Sequence, residues 1–334
     1  NTGGVAGNTR KPTVLQPIML PWFRRKWQRR VNRFLLVRQL SRVLDGEENV
    51  TAITTLPITA DLVGALPMVA RWVYYCVDDW SRWPGMDAKP LAEMETQMVP
   101  CVDRIVTVGE KLRDRIRTLG RDSLLLTHGV DLDFWRLATE NRNVSENGNT
   151  VETLSETLEE REFSRDMTRP ILVFWGLIDE RLDLTILERL AADMPEATIL
   201  FAGPTAAPEV LQRLTQLLNF RYVGSLPYEK LPILASEADV LLMPYLKNEA
   251  TEQIQPLKMT EYLASGKPAV VRDLKASEIW WDALDVADSA EEFSRKVRLR
   301  IQTGLPPEQS AARERLKSET WEEKARMWEE YMMK

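Results

Sequence analysis

Residues 238–271 read ADVLLMPYLKNEATEQIQPLKMTEYLASGKPAVV: an apolar run, a polar loop, an amphipathic stretch and a second apolar run. Val240–Met243 and Pro268–Val271 have the composition of buried strands. The helix between them is punctuated at both ends. Pro256 suits a first helical position, and Gly266 followed by Pro268 ends the helix. A strand, a crossover helix and a second strand of this size predict a parallel sheet. The start of such a helix faces the carboxyl edge of the sheet, where its free amides and positive dipole end can hold phosphate.

The same alternation extends outward on both sides and predicts a doubly wound α/β protein. Strands are expected at 13–20, 50–55, 72–77, 104–108 and 123–126, then at 171–175, 197–202, 220–223, 240–243 and 268–271. Between 138 and 168 the apolar periodicity fades, and eight acidic residues stand against three basic ones. That stretch reads as an acidic linker or insertion between two Rossmann-like halves. The expected domains are 1–137, then the linker 138–168, then 169–319. From Glu291 onward the chain reads as helical, and its last helix, about 320–334, is expected to return to the first domain.

With 334 residues, 44% hydrophobic and 28% charged, the chain has the length and composition of two soluble globular domains. It has no apolar run long enough to span a bilayer. A net charge of −6 argues against a general nucleic-acid partner. Cys76 and Cys101 lack metal-ligand spacing and read as buried free thiols of a cytoplasmic protein.

Lys258 adds a full charge in the first helical turn, within reach of a diphosphate, and Glu261 lies roughly 7 Å further along than Pro256, where a carboxylate can accept from both hydroxyls of a ribose. The competing reading is a solvated surface pair three residues apart. The lone histidine, His128, sits at a strand end before Gly129, a position that suits either a buried, hydrogen-bonded role or a site. No Ser-His-Asp or Cys-His arrangement is present, and Ser265–Pro268 lacks the marks of a phosphate loop.

The stretch with Glu249, Pro256-Leu-Lys258 and Glu261–Pro268 resembles the donor-site motif of retaining GT-B glycosyltransferases of the family-four type, in particular the branch acting on bacterial cell-surface polysaccharides. Five further stretches are similar to that family and follow its order: Tyr74–Trp80, Asp103–Val108 with Lys111-Leu112, His128–Asp131 with Phe134, Val223-Gly224 with Pro227, and Ala238–Pro244. The resemblance runs from about Trp72 to the C-terminus.

It implies two Rossmann-like domains facing a central cleft, a nucleotide diphosphate sugar as donor, no cofactor and no metal. The diphosphate charge would then be neutralised by helix amides and basic side chains. By resemblance, Glu261 holds the ribose, Lys258 and the amides of Leu257 and Lys258 hold the diphosphate beside Pro256, and the backbone around Ser225, Leu226 and Pro227 holds the base. Asp78 or Asp79 and His128 line the cleft from the first domain. The acceptor is expected to be lipid-linked or a polysaccharide.

Two positions depart from the pattern. Gln253 replaces a glutamate expected near the transferred sugar, so that role passes to Glu249. After the first strand of the second half, Gly176-Leu-Ile-Asp-Glu-Arg181 offers only Arg181 as a phosphate clamp, with Leu177 where an arginine is expected. These departures keep a catalytically weak scaffold or regulatory subunit as the alternative. A nucleotide-sugar epimerase is disfavoured by the single histidine, and the Asp78-Asp79 pair resembles the metal-binding acids of the other transferase fold, GT-A, which two Rossmann-like halves contradict. The first domain also looks short, since no glycine-rich first strand-loop-helix is evident.

Between Arg24 and Leu44 there are eight basic residues and no acidic one. Trp27, Val31, Phe34 and Leu35 fall at i, i+4, i+7 and i+8, one apolar face flanked by Arg25, Arg29, Arg30, Arg33 and Arg38. Such a helix can lie in an anionic membrane interface, or it can pack that face on the first domain's sheet.

Overall fold

The computed structural model describes residues 13–82, 87–136, 167–248, 251 and 257–333. The chain divides into two compact units, Asn1–Leu125 and Leu126–Lys334.

In the first unit, β1 (Val50–Thr54), β2 (Val69–Cys76), β3 (Arg104–Thr107) and β4 (Leu124–Leu125) form a parallel sheet in sequence order. Helices α1 (Lys26–Val43), α2 (Ala88–Met98) and α3 (Glu110–Thr118) accompany it. Leu36 of α1, Trp72, Tyr74 and Cys76 of β2, Met98 of α2, Ile105 of β3 and Ile116 of α3 form its core. The strand expected at 13–20 is absent. That stretch instead runs along α1, where amide side chains take the place of a neighbouring strand. Asn32 accepts from the Leu20 amide at 2.7 Å and donates to the carbonyls of Leu20 and Trp22, while Gln39 exchanges two 2.8 Å bonds with Ile18. Backbone polar groups must find partners, and here side chains supply them.

The second unit holds a six-stranded parallel sheet made of β5 (Ile171–Trp175), β6 (Thr198–Ala202), β7 (Phe220–Tyr222), β8 (Val240–Met243), β9 (Ala269–Arg272) and β10 (Asp285–Ala287). Their spatial order is β10-β9-β8-β5-β6-β7. The chain winds outward from β5 through β6 and β7, then returns to the other side of β5 for β8, β9 and β10. The strand order therefore reverses between β5 and β8. Every residue of β5, β6 and β8 is buried, which is why these strands read as continuous apolar runs.

Helices α4 (Leu184–Asp193), α5 (Pro208–Leu214), α6 (Leu231–Glu237), α7 (Leu257–Ala264) and α8 (Ala290–Thr303) connect or follow these strands. Helix α7 buries Met259, Tyr262 and Leu263, spaced i, i+3 and i+4, and the Tyr262 hydroxyl donates to the Leu242 carbonyl at 3.0 Å. Gly266 follows with φ +69°, the left-handed stop its sequence position predicts. Two buried cations hold the region behind the helix. Lys267 donates to the carbonyls of Ser236 and Ala238, and Arg313 to those of Leu263, Lys267 and Ala283. Burial pushes the Arg313 guanidinium down to about 10.

Helices α9 (Pro307–Ala312) and α10 (Trp321–Met333) complete the chain. The unit boundary falls twelve residues before the expected 137/138 division, because Val130 and Trp135 are already part of the second core. Helix α10, expected to return to the first domain, is tied to this same segment. Val130 bridges Thr320, and the Lys324 ammonium donates to Thr127 Oγ1 at 2.8 Å and Glu319 Oε2 at 2.6 Å. Gly129 is required there, since a Cβ would lie 2.6 Å from Trp321 Cδ2. Of the two thiols expected to be buried, Cys76 is, and burial pushes it up to about 12. Cys101 is exposed, because it lies in the turn just after α2 rather than on a strand.

Candidate functional site

Ligands of open parallel sheets bind at the carboxyl edge where strand order reverses, which here is the gap between β5 and β8. Strand β5 ends in Trp175 and is followed by Gly176, β6 is followed by Gly203, and β8 is followed by Pro244 and Tyr245. Gly176 and Gly203 both have φ +139°. A Cβ on Gly203 would stand 2.0 Å from the Gly176 carbonyl oxygen, and a Cβ on Gly176 would stand 2.1 Å from Lys258 Nζ. The two glycines thus form a shelf with no room for a side chain, and the lysine lies directly on it.

Lys258 reaches this shelf from the first turn of α7. Its ammonium donates to the Tyr245 hydroxyl at 2.5 Å and lies 4.2 Å from the centre of the Phe174 ring. Desolvation by these apolar walls, reinforced by the nearby Arg181 charge and partly offset by Glu261 and Asp179, lowers its pKa to about 7. Among the described residues no carboxylate forms an ion pair with Lys258, and a buried cation of this kind is stabilised by an arriving anion.

One turn along α7, Glu261 accepts from Trp175 Nε1 at 3.0 Å and from the Tyr228 hydroxyl at 3.1 Å. Burial raises its pKa, against the lowering effect of those two bonds. The reading of Lys258 and Glu261 as a solvated surface pair fails, because both charged ends are enclosed. A carboxylate has about four lone-pair sites, so two remain for further donors after Trp175 and Tyr228.

An aromatic wall supports the carboxylate. Trp135 stacks on Trp175 at 5.3 Å, and Phe134 stacks on Tyr228 at 4.9 Å. Trp175, Tyr228 and Tyr245 were not anticipated from sequence. Their only signal is that each follows or ends a predicted strand at the carboxyl edge. Ser225 and Leu226 lie on the same edge, after Gly224, whose carbonyl accepts from Gly203 N at 2.8 Å. Ser225 is exposed, while Leu226 packs against the core.

Arg181, the expected phosphate clamp, is held by Asp179, whose two oxygens take its Nε at 3.0 and 2.9 Å. Its guanidinium also lies 5.7 Å from the Tyr245 ring centre. Tyr245 therefore stands between two cations. The loop itself is fixed to β8, with Asp183 N donating to Pro244 O and Leu246 N to Arg181 O. Glu249, Gln253 and Pro256 lie outside the described residues.

In the first unit, the Asp78-Asp79 pair has a structural environment. Asp79 pairs with Arg115 and accepts from the Ser81 hydroxyl at 2.6 Å, and Asp78 Oδ1 accepts from the Asp79 amide at 2.8 Å. Arg115 also pairs with Glu95, a buried carboxylate that accepts from the Tyr74 hydroxyl at 2.7 Å. His128, expected in the first domain, belongs to the second unit, where its ring meets Trp321 edge-on at 6.5 Å and burial lowers its pKa.

Residues 169–302 match the family described as Glycosyl transferases group 1. Over 109 residues the chain is 31% identical to the putative teichuronic acid biosynthesis glycosyltransferase TuaH of Bacillus subtilis (strain 168). That match spans 32% of this chain and 28% of the relative's length. Among solved structures, sucrose-phosphate synthase from Thermosynechococcus elongatus aligns over 96% of this chain and 82% of its own, with TM-score 0.68 and 15% identity. HepE from Anabaena, in complex with UDP and glucose, aligns over 89% of this chain and 81% of its own, with TM-score 0.67 and 13% identity. At these identities the likeness establishes the fold, which is GT-B, with two Rossmann-like α/β units.

Proposed function

We propose that this chain transfers a sugar from a nucleotide diphosphate sugar to a lipid-linked or polysaccharide acceptor, with retention at the anomeric carbon and without a metal. The observation that carries the reading is the presence on α7 of an enclosed ammonium at Lys258, in no ion pair among the described residues, and an enclosed carboxylate at Glu261, both at the strand-order reversal of the second sheet. The glycosyltransferase family match over 169–302 supports it. So do the UDP and glucose bound by the Anabaena relative and the polysaccharide named for the Bacillus one.

In this reading Lys258 and the first amides of α7 take the diphosphate, Glu261 the ribose, and the Ser225–Pro227 edge the base. The bond between the sugar's anomeric carbon and the phosphate oxygen breaks, and the bond to the acceptor oxygen forms on the same face. The acceptor proton passes to the departing phosphate. Lys258 stabilises the charge developing on the diphosphate. Glu249 and Gln253 are assigned to the transferred sugar, and Asp78 and His128 to the acceptor side. Asp79 has less freedom for that task, because Arg115 and Ser81 already hold it.

The test is thermal unfolding with UDP, GDP, ADP and CDP. A nucleotide at 100 times its dissociation constant adds about 2.7 kcal/mol of stability, and Glu261→Ala should remove most of that gain. No shift with any of the four would sink the reading. A second reading, a binding scaffold without turnover, is favoured by Leu177 at the expected arginine position and by the neutralisation of Arg181 by Asp179. Nucleotide binding without hydrolysis or transfer of any donor sugar would select it.

A further inference from the structure

Of the apolar face that its sequence marks out, helix α1 half-buries Leu35 and leaves the other three residues exposed. Its inward residues are Asn32 and Leu36, while Trp27, Val31 and Phe34 are 53%, 38% and 63% exposed. At about 100° per residue these three fall within an arc of about 60°. Trp22, 60% exposed, and Ile18, 75% exposed, stand on the neighbouring segment that Asn32 and Gln39 bind to the helix. Their outward position is thus set by hydrogen bonds.

Around these apolar residues the surface is basic. Lys26, Arg30, Arg33, Arg38 and Arg42 are exposed, and the helix contains no acid. Among the described residues, Lys26, Arg30, Arg38 and Arg42 form no ion pair, whereas Arg29 pairs with Asp61. Lys26, Arg29, Arg30, Arg33, Asp61 and Gln97 also line a hollow of about 220 Å³. That is room for a phosphate group against basic side chains of the same helix.

We propose that the outward face of α1 and the segment before it dock on an anionic phospholipid bilayer. Trp22, Trp27, Val31 and Phe34 enter the headgroup boundary, and Lys26, Arg30, Arg33 and Arg38 bind lipid phosphates. Charge complementarity selects this occupant. A second copy meeting the same face about a two-fold axis would set arginines against arginines. Large aromatic residues on a cationic, acid-free helix match an interface where one side is apolar and the other carries phosphate. The surface does not depend on the donor reading and brings the chain to the place where lipid-linked acceptors are found.

The experiment is co-sedimentation of the full chain with phosphatidylcholine vesicles, with and without phosphatidylglycerol. Binding is expected only with the anionic lipid, weakening as salt is raised. Each exposed basic residue contributes about five-fold in partitioning, so Arg30→Glu with Arg38→Glu should lower binding by at least about 25-fold. Trp27→Ser with Phe34→Ser should lower it by about ten-fold or more. Both pairs are exposed, so melting temperatures and nucleotide-induced shifts should stay at the parent values. Equal binding to neutral vesicles, or binding that survives either pair, overturns the proposal. So does full release by inorganic phosphate, which would make the hollow a free-anion site. A dimer in gel filtration that Trp27→Ser dissociates would overturn it in favour of a second copy. A parent chain that binds anionic vesicles but shows no nucleotide shift would sink the donor reading and leave this one standing.

Discussion

Replacing Lys258 by methionine should stabilise the protein while abolishing its response to nucleoside diphosphates. In the unfolded chain the lysine keeps its proton up to pH 10.5, and in the fold it loses that proton at about 7. Between these values the unfolded state binds more protons, so stability rises with pH across this window and the full penalty is present below it. At 1.36 kcal/mol per unit, the penalty at pH 7 is on the order of 4 kcal/mol. As a whole residue Lys258 is only half-buried, which brings the expected gain from methionine nearer about 2 kcal/mol. Methionine fills the same space against Phe174 and Tyr245 without a charge. Urea unfolding of both forms at pH 7 and pH 10 should show the variant more stable by about 2 kcal/mol at pH 7 and nearly equal to the parent at pH 10. Calorimetric titration with UDP in two buffers of different ionisation heat should show proton uptake by the parent above pH 7 and none by the variant. A variant less stable than the parent at pH 7, or parallel pH profiles, would refute the account of Lys258 as a cation whose charge is desolvated by burial.

Gly176→Ala puts a side chain where φ is +139° and where Lys258 Nζ lies 2.1 Å from the new atom. It should cost about 1–3 kcal/mol in urea unfolding and cut the nucleotide-induced shift by displacing the lysine. In the first unit, Arg115→Leu strips Glu95 and Asp79 of their shared cation. Leaving a buried carboxylate uncompensated should cost about 3–5 kcal/mol, read by the same unfolding experiment, and Glu95→Gln in the Arg115→Leu background should recover most of it.

The second unit was legible because its central strands are apolar throughout and its key helix carries proline and glycine at its ends. Val240–Met243 and Ile171–Trp175 were located to the residue. Strand β10 escaped because its three residues begin with Asp285, a buried carboxylate paired with Arg300, so its polarity disguises its position. The stretch 13–20 reads as a strand by composition, but strands exist by pairing, and its partners are side-chain amides on α1. The period of α1 gave the apolar face correctly without saying whether that face points in or out, since periodicity has no sign. Lys258 and Glu261 were readable from spacing within one helix. Trp175, Tyr228 and Tyr245 come to Glu261 and Lys258 from three separate strand ends, a convergence that only the closed sheet produces. Asp79 and Arg115, 36 positions apart, illustrate the same limit in the first unit.

The grip of Arg313 on the carbonyls of Leu263, Lys267 and Ala283 bears on how the second unit can be cut out of the chain. The stretch matching the glycosyltransferase family ends at residue 302, before that guanidinium arrives. A fragment trimmed to those limits would leave carbonyls at the exit of α7 and beside β9 without their donor, in a site that excludes water. A minimal excised piece must therefore continue at least through the turn that carries Arg313 and Leu316, whose side chain is 3% exposed in the same core.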